Sequence, residues 1–108
     1  MRRFTFADLG SDGQLHVAAR IVAGHRLGSG GLAFHTAGQR AHADEPRHTH
    51  AHEEEIFCIM QGHGTLELDD RVEPLRAGDV VVIEPGENHH VVSSTDSPLM
   101  NLWLHPVD

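Results

Sequence analysis

Histidine and glutamate side chains crowd into residues 47–64, RHTHAHEEEIFCIMQGHG, directly beside an apolar run. Imidazole ligates metals and moves protons near neutral pH, and carboxylates do both as well. Alternate residues of a strand share one face, so His48 and His50 point the same way if they end a strand. A turn at 51–54 then allows Glu55 to begin the next strand with its carboxylate facing inward. Because an inward carboxylate is costly unless it is paired or bound to a cation, this stretch predicts a metal site.

A second histidine-bearing stretch follows at 77–92, AGDVVVIEPGENHHVV. It combines a turn glycine, a strand of buried type, a Pro-Gly turn and two adjacent histidines. His89 and His90 must face opposite sides of their strand. One of them can therefore join the metal, and the other is expected to meet solvent or a neighbouring subunit.

The composition limits the classes of partner. The 108 residues carry 16 acidic and 8 basic side chains, which gives a formal charge of −8. Such a surface disfavours nucleic acid and anionic membranes as partners. Cys58 is the only cysteine, so an internal disulfide is excluded. No apolar run reaches the roughly 18–20 residues that span a bilayer, and the first residues lack the apolar core of a secretory signal, so we expect a cytoplasmic protein.

Short runs of strand type fill the chain, with glycine, aspartate and asparagine between them. The runs lie at 16–24, 32–38, 55–60, 65–70, 72–76, 79–84, 89–94 and 99–105. No segment keeps a helical apolar period for three turns, whereas regular short strands separated by turns favour an all-β sandwich or barrel. The length and the lack of a linker predict one domain over residues 1–108.

Two of these runs, at 55–60 and 80–83, are apolar on both faces. A strand that is buried on both faces lies inside a sandwich or at a subunit contact. The outer face of a small barrel therefore needs a cover, which is either the chain's own N-terminal strands or a second copy of the chain. The second option predicts a homodimer through one sheet.

At the first stretch the sequence resembles the cupins, which are small β-barrels of the jelly-roll type. Their first motif is a glycine, five residues, His-x-His, three or four residues, Glu, six residues and Gly. His48, His50, Glu55 and Gly62 fall in register with this motif. The leading glycine of the motif is His42 in this chain, which puts the geometry of that loop in doubt.

The second stretch resembles the second cupin motif, which is Gly, five residues, Pro-x-Gly, two residues, His, three residues and Asn. Gly78, Gly86 and His89 match it, whereas Glu84 replaces the proline and Ser93 replaces the asparagine. The segment between the two motifs is as short as in single-domain microbial cupins. Both motifs occur in order and at the expected separation, so the resemblance is specific.

The resemblance implies a jelly-roll barrel, also called a double-stranded β-helix, with one divalent metal. It implies His48, His50, Glu55 and His89 as the metal ligands. Three imidazoles and one carboxylate suit Fe, Mn, Ni, Zn or Co, and the sequence does not choose among them. Such a site normally keeps open positions for water, oxygen or substrate.

A scaffold of this kind does not assign a reaction by itself. The favoured hypothesis is a metal-dependent enzyme acting on a small organic substrate, with dioxygenase-like oxygen chemistry preferred to that of an isomerase or lyase. The alternatives are a non-catalytic module that binds or senses a metal or small molecule, and a structural barrel with a vestigial site. No residue is an evident general base, so the catalytic residues stay unassigned.

Three further histidines leave open questions about the site. His50 and His52, together with Glu54, would form an alternative ligand set if their strand runs straight. The six-residue gap that ends at Gly62 favours the first assignment over this one. His35 and His105 are each candidates for a pocket wall or an acid/base group.

Overall fold

The structure, a computed structural model, describes residues 1–7 and 26–107. The predicted strand at 16–24 lies outside these residues. The described chain forms eight strands: β1 Arg2–Thr5, β2 Arg26–His35, β3 Glu55–Gln61, β4 His63–Glu67, β5 Val72–Arg76, β6 Asp79–Ile83, β7 His90–Ser93 and β8 Leu99–Val107. These residues contain no helix, which confirms the predicted all-β class. Accordingly, this part of the chain offers no helix long and apolar enough to cross a membrane.

The strands form two antiparallel sheets. The larger sheet has the order β1-β6-β3-β8-β2, and the smaller sheet has the order β5-β4-β7. Strand β3 lies at the centre of the larger sheet, because Glu55 pairs with Ile83 of β6 and Ile56 pairs with Leu104 of β8. The register therefore places the beginning of β3 between β6 and β8.

The main core lies between the two sheets. The larger sheet contributes alternate residues of β3 and β6, among them Ile59 and Val81, and the smaller sheet contributes Leu66, Leu75 and Val91. Burying an aliphatic side chain of this size is worth about 1.5–3 kcal/mol, so these contacts hold the sheets together. This interior is also the side on which Glu55 and Phe57 project.

Several other residues of β3 and β6 form a second apolar cluster on the outer face, which is the face of the larger sheet opposite the core. Ile56, Val80 and Val82 are buried there beside Phe4 of β1. The prediction of burial on both faces is therefore confirmed for β6 and for the beginning of β3, whereas Met60 near the end of β3 is 41% exposed. Strand β1 lies beside β6 in the plane of the sheet and does not cross this face.

Two features of the strands differ from the prediction. Strand β1 was not expected, and β2 begins at Arg26, six residues before the predicted run at 32–38. The first half of β2 is rich in glycine, which gives it a weak strand propensity. Its pairing with β8, where Gly31 lies opposite Trp103, supplies the stabilising contacts that the local sequence lacks.

Candidate functional site

Four predicted site residues converge on the inner side of the larger sheet. His48 and His50 lie in a segment before β3, Glu55 is the first residue of β3, and His89 directly precedes β7. One ligand-type atom from each residue lies within 4.8 Å of the corresponding atoms of the other three. Residues that are up to 41 positions apart in the sequence are thus brought together by the pairing of β3 with β6 and by the turn that follows β6.

His48 and His50 do not end a strand, so that prediction is wrong. Residues 47–50 form an irregular segment that runs beside the turn before β7. The backbone N–H of His89 donates to the carbonyl of His48 at 3.1 Å, and that of Gly86 donates to the carbonyl of His50 at 2.8 Å. Only this pair of bonds links the two segments in a ladder-like manner, and the remaining support comes from a side chain.

The supporting side chain is that of Asn88. Its Oδ1 accepts the backbone N–H of His48 at 2.8 Å, and its Nδ2 donates to Asp69 Oδ1 at 3.1 Å. Asp69 also accepts a hydrogen bond from Arg47 at 2.6 Å. Asn88 is buried; its bond to His48 joins the two histidine-bearing segments, and its bond to Asp69 ties them to the turn between β4 and β5.

Hydrogen bonds at Nδ1 orient three imidazoles of the site. His89 Nδ1 donates to the carbonyl of Glu87 at 2.9 Å, and His105 Nδ1 donates to that of Glu54 at 3.0 Å. His48 Nδ1 donates to the Glu45 carboxylate at 2.8 Å. Each of these rings, in its neutral form, has the lone pair of Nε2 free, and in its protonated form it carries a second N–H there.

The Glu55 carboxylate is surrounded by imidazoles. Its Oε1 lies 2.7 Å from His89 Nε2 and 3.4 Å from His50 Nε2, and its Oε2 lies 3.1 Å from His105 Nε2. Burial by itself raises the pKa of the Glu55 carboxyl. The hydrogen bond from His89 and the charges of the neighbouring rings outweigh burial, so the pKa of Glu55 lies below its ordinary value.

His50 has the least satisfied ring of the four residues. Its Nε2 is buried and makes no hydrogen bond within the part of the chain that the structure describes. Burial lowers the pKa of His50, and the neighbouring imidazoles lower it further, although Glu55 acts in the opposite direction. The ring is therefore favoured in its neutral form, which is the form that binds a metal.

A cavity of about 330 Å³ opens onto these groups. Its apolar walls are Ala33, Ala41, Phe57, Val91 and Trp103. The polar part of its lining consists of imidazoles, one carboxylate and one amide: His35, His42, His48, His50, Glu55, His89, Asn101 and His105. The volume and the apolar walls are typical of a site for a small organic molecule.

Residues 36–105, well over half of the chain, match the sequence model of the cupin domain. The chain belongs to the cupin family. A cupin protein from Bacteroides fragilis is 28% identical in sequence, with a TM-score of 0.63 over 71% of this chain and 63% of that chain. A Cupin 2 conserved barrel domain protein from Salinispora arenicola is 33% identical, with a TM-score of 0.60 over 70% of this chain and 60% of that chain.

A predicted oxalate decarboxylase from Thermotoga maritima is 24% identical, with a TM-score of 0.63 over 76% of this chain and 68% of that chain, a likeness that shows the fold alone. This cupin spans less than two thirds of the length of the proteins from Bacteroides fragilis and Salinispora arenicola. Comparison with curated proteins finds no match. The family and its double-stranded β-helix are thus confirmed, whereas the reaction and the metal ligands stay predictions.

The predictions for the other histidines of this cupin agree with the structure in some cases and disagree in others. His35 and His105 both line the cavity, which agrees with a role as pocket walls. His52 is exposed and is not among the clustered ligand-type atoms, and Glu54 is not among them either. His90 is only 1% exposed and donates from Nδ1 to the carbonyl of Ala41 at 3.0 Å, so the prediction that it meets solvent or a neighbour is wrong.

Two polar residues of the cavity were not singled out from the sequence for this role. Asn101 on β8 is 1% exposed, and its Oδ1 accepts a hydrogen bond from His35 Nε2 at 2.8 Å. His42, a departure from the motif, is half exposed, as a surface histidine would be, and it also lines the cavity and stacks on His48. Alternation along 99–105 puts Asn101 on the same face as Trp103 and His105, which is the one local signal that could have found it.

Proposed function

We propose that this cupin is a divalent-metal-dependent enzyme that acts on a small organic substrate, with oxygen chemistry favoured. The observation that carries the proposal is the convergence of His48, His50, Glu55 and His89 within 4.8 Å at the wall of a largely apolar cavity. These four residues would hold one ion of Fe, Mn, Ni, Zn or Co.

The donor set fits such an ion in its chemistry as well as in its spacing. His89 Nε2 and Glu55 Oε1 are 2.7 Å apart, although Nδ1 of the same imidazole is already a donor. Two lone pairs at this distance repel each other unless a proton or a metal ion lies between them. The buried Nε2 of His50 is a third atom that could bind a metal, so a divalent ion would satisfy all three atoms at once.

A divalent metal supplies a Lewis acid, or a centre that binds oxygen, to a substrate in the cavity. The chain itself supplies orientation and the exclusion of water. Phe57 and Trp103 form apolar walls beside the site, and the His35–Asn101 pair offers polar groups to one part of a substrate. His105 holds the second oxygen of Glu55, which leaves the first oxygen turned towards His89 and His50.

In the part of the chain that the structure describes, the protein lining of the cavity offers a substrate no cationic side chain of the arginine or lysine type. It contains no arginine among the described residues, and the sequence has no lysine. A small acid would therefore find no arginine for a bidentate contact, and the proposed metal ion would be its cationic partner.

The test is metal analysis of untagged protein purified without chelator, beside His48→Ala and His89→Ala variants. We expect about one equivalent of a divalent transition metal in the wild type and a loss of about tenfold or more in affinity in each variant. Because a metal stabilises the folded state that binds it, both variants should also lose the thermal stabilisation that added metal gives the wild type.

The matched control is His52→Ala, which removes an exposed histidine from the same stretch and should keep its metal. Loss of the metal in that variant would favour the alternative ligand set instead. Oxygen uptake with iron, manganese or nickel would support the hypothesis of oxygen chemistry. Stable metal binding without turnover of any substrate would support the hypothesis of a non-catalytic binding module. A wild type that takes up none of the five metals would overturn the proposal.

We further propose that the protein is a homodimer that packs through the outer face of the larger sheet. Leu32 and Phe34 of β2 lie on this face and are 47% and 72% exposed. Their cross-strand partners on the same face are Leu102 and Met100 of β8. Adjacent exposed apolar side chains of this size mark an interaction surface, and a sheet face of one chain can pack on its own copy.

We also propose that the protein is cytoplasmic and that its partner is neither a nucleic acid nor a membrane. This proposal is supported by the charge of −8 and by the lack of an internal disulfide.

A further inference from the structure

The backbone of His42 adopts a left-handed conformation, with φ at 54°. Among the residues that the structure describes, His42 is the only one other than glycine with a positive φ. The cupin motif that this chain resembles has a glycine at the same position, so the loop keeps a conformation suited to glycine while it carries an imidazole. A strained residue of this kind persists only where its surroundings hold it, and it is most often found at functional sites.

The imidazole of His42 lies flat against the imidazole of His48. The ring centroids are 3.7 Å apart and the planes differ by 7°. Glu45 lies beside both rings, with Oε2 2.8 Å from His48 Nδ1 and Oε1 3.8 Å from His42 Nδ1. The His48 ring is therefore held along one edge by a hydrogen bond and over one face by a second ring.

His48 gains from such support because its segment belongs to no strand. It lies in the irregular segment 47–50, whereas Glu55 begins a central strand and the His89 ring is only 2% exposed. The other ring contacts of the site are tilted or edge-on, such as that of His50 with His105 at 72°. The parallel stack thus occurs at a site residue whose backbone belongs to no strand.

We propose that His42 is a positioning residue for the metal site. Its ring packs on His48 and keeps the Nε2 of His48 turned towards the other three donors, which slows the release of a bound ion. The inference rests on the proposed function for the metal, whereas the stacking is a property of the metal-free protein as well. The strain at His42 is the cost of placing a ring where the motif has glycine.

Three variants separate the ring from the backbone. His42→Gly removes the ring and relieves the left-handed strain, and His42→Phe keeps a stacking ring without its nitrogens. His63→Asn is the matched control, because His63 is an exposed histidine that pairs with Asp96 and does not line the cavity. Each protein is loaded with Co²⁺, and the loss of Co²⁺ absorption after addition of a chelator gives the rate of metal release.

We expect His42→Gly to release Co²⁺ about tenfold faster than the wild type, while the Tm of the metal-free protein is unchanged or higher. His42→Phe and His63→Asn should release Co²⁺ at close to the wild-type rate. The proposal is overturned if His42→Gly releases Co²⁺ like the wild type, or if His42→Phe is as fast as His42→Gly. Faster release with a matching loss of metal-free stability would show a merely structural role and would overturn it too.

A second measurement on the metal-free protein separates this inference from the proposed function. The imidazole resonances of His48 are compared by NMR in the wild type and in His42→Gly. We expect them to shift, because the ring current of His42 acts at 3.7 Å in the wild type. A wild type that binds no Co²⁺ would contradict the proposed function alone, whereas unshifted His48 resonances would contradict the stacking inference.

Discussion

Glu55 is a carboxylate that is 6% exposed and yet is favoured in its charged form. In apolar surroundings a carboxyl group would normally be protonated, because burial penalises the charge. Here the hydrogen bond from His89 and the nearby rings reverse that preference and lower the pKa. The residue is therefore poised to hold a cation without first losing a proton at neutral pH.

The lowered pKa of Glu55 makes a prediction about acid stability. A carboxyl whose pKa is lower in the folded than in the unfolded chain stabilises the fold above its unfolded pKa, and this stabilisation is lost as the pH falls through the folded pKa. As the pH falls below 4.5, the ordinary pKa of a glutamate, the metal-free wild type should therefore lose its stability advantage over Glu55→Gln. Urea unfolding of both proteins at several pH values measures this difference, and a difference independent of pH would contradict the account.

The pair of His35 and Asn101 supports a second prediction at the scale of single residues. Asn101 Oδ1 accepts from His35 and its Nδ2 donates to the carbonyl of Leu102 at 3.2 Å, so the amide has a partner on each side. Asn101→Leu should cost about 1–3 kcal/mol in the free energy of unfolding, because it leaves polar groups without partners. The double variant His35→Phe, Asn101→Leu should cost less than the two single changes added together. Additive costs would mean that the hydrogen bond contributes nothing.

At the scale of elements, the turn between β3 and β4 depends on one glycine. Gly62 has φ at 79°, and a Cβ atom there would overlap the carbonyl oxygen of Pro98. Gly78 has φ at 95° as well, but a Cβ atom there would meet nothing within 4 Å. The two glycines therefore share the backbone requirement and differ only in the space around them.

This contrast predicts different costs for the same substitution. Gly78→Ala should lower the free energy of unfolding by about 1–2 kcal/mol, which is the penalty for an alanine in the left-handed region. Gly62→Ala should cost clearly more, because the turn must also move away from Pro98. Chemical denaturation of the two metal-free variants gives both values. Equal costs would show that the close approach to Pro98 does not constrain the turn.

At the scale of the whole molecule, the larger sheet separates two apolar regions. Its inner face supplies the core and the cavity, whereas its outer face leaves Leu32 and Phe34 exposed. The alternation of side chains along β2 puts His35 on the cavity side and Phe34 on the other side. One strand can therefore serve both a ligand site and a subunit contact.

The proposed dimer is tested by placing a charge on the outer face. Phe34→Glu should convert a dimer to a monomer, because a carboxylate is costly inside an apolar interface. Its metal content should stay at the wild-type level, since the side chain points away from the cavity. Light scattering gives the mass of each protein, and Val72→Glu, at another exposed apolar residue, is the control. A wild type that is monomeric at all concentrations would contradict the proposal.

The sequence by itself determined the all-β class, most of the strands and the four residues that come together at the cavity. Strands can be predicted from the local alternation of side chains and from turn residues, which are signals that extend over only a few positions. The four site residues were singled out by the resemblance of the two histidine-bearing stretches to the cupin motifs, because alternation alone left the choice between His89 and His90 open. These features needed no knowledge of what each segment packs against.

Only the tertiary structure decided the rest. The glycine-rich half of β2 is a strand because β8 lies beside it. Segment 47–50 is irregular and is bonded to the turn before β7 rather than to a strand. The burial of His90 and the stack of His42 on His48 depend on contacts between segments, and local alternation carries no information about such contacts. The replacement of a motif glycine by His42 was visible in the sequence, but only the structure shows that the loop keeps the left-handed conformation suited to glycine.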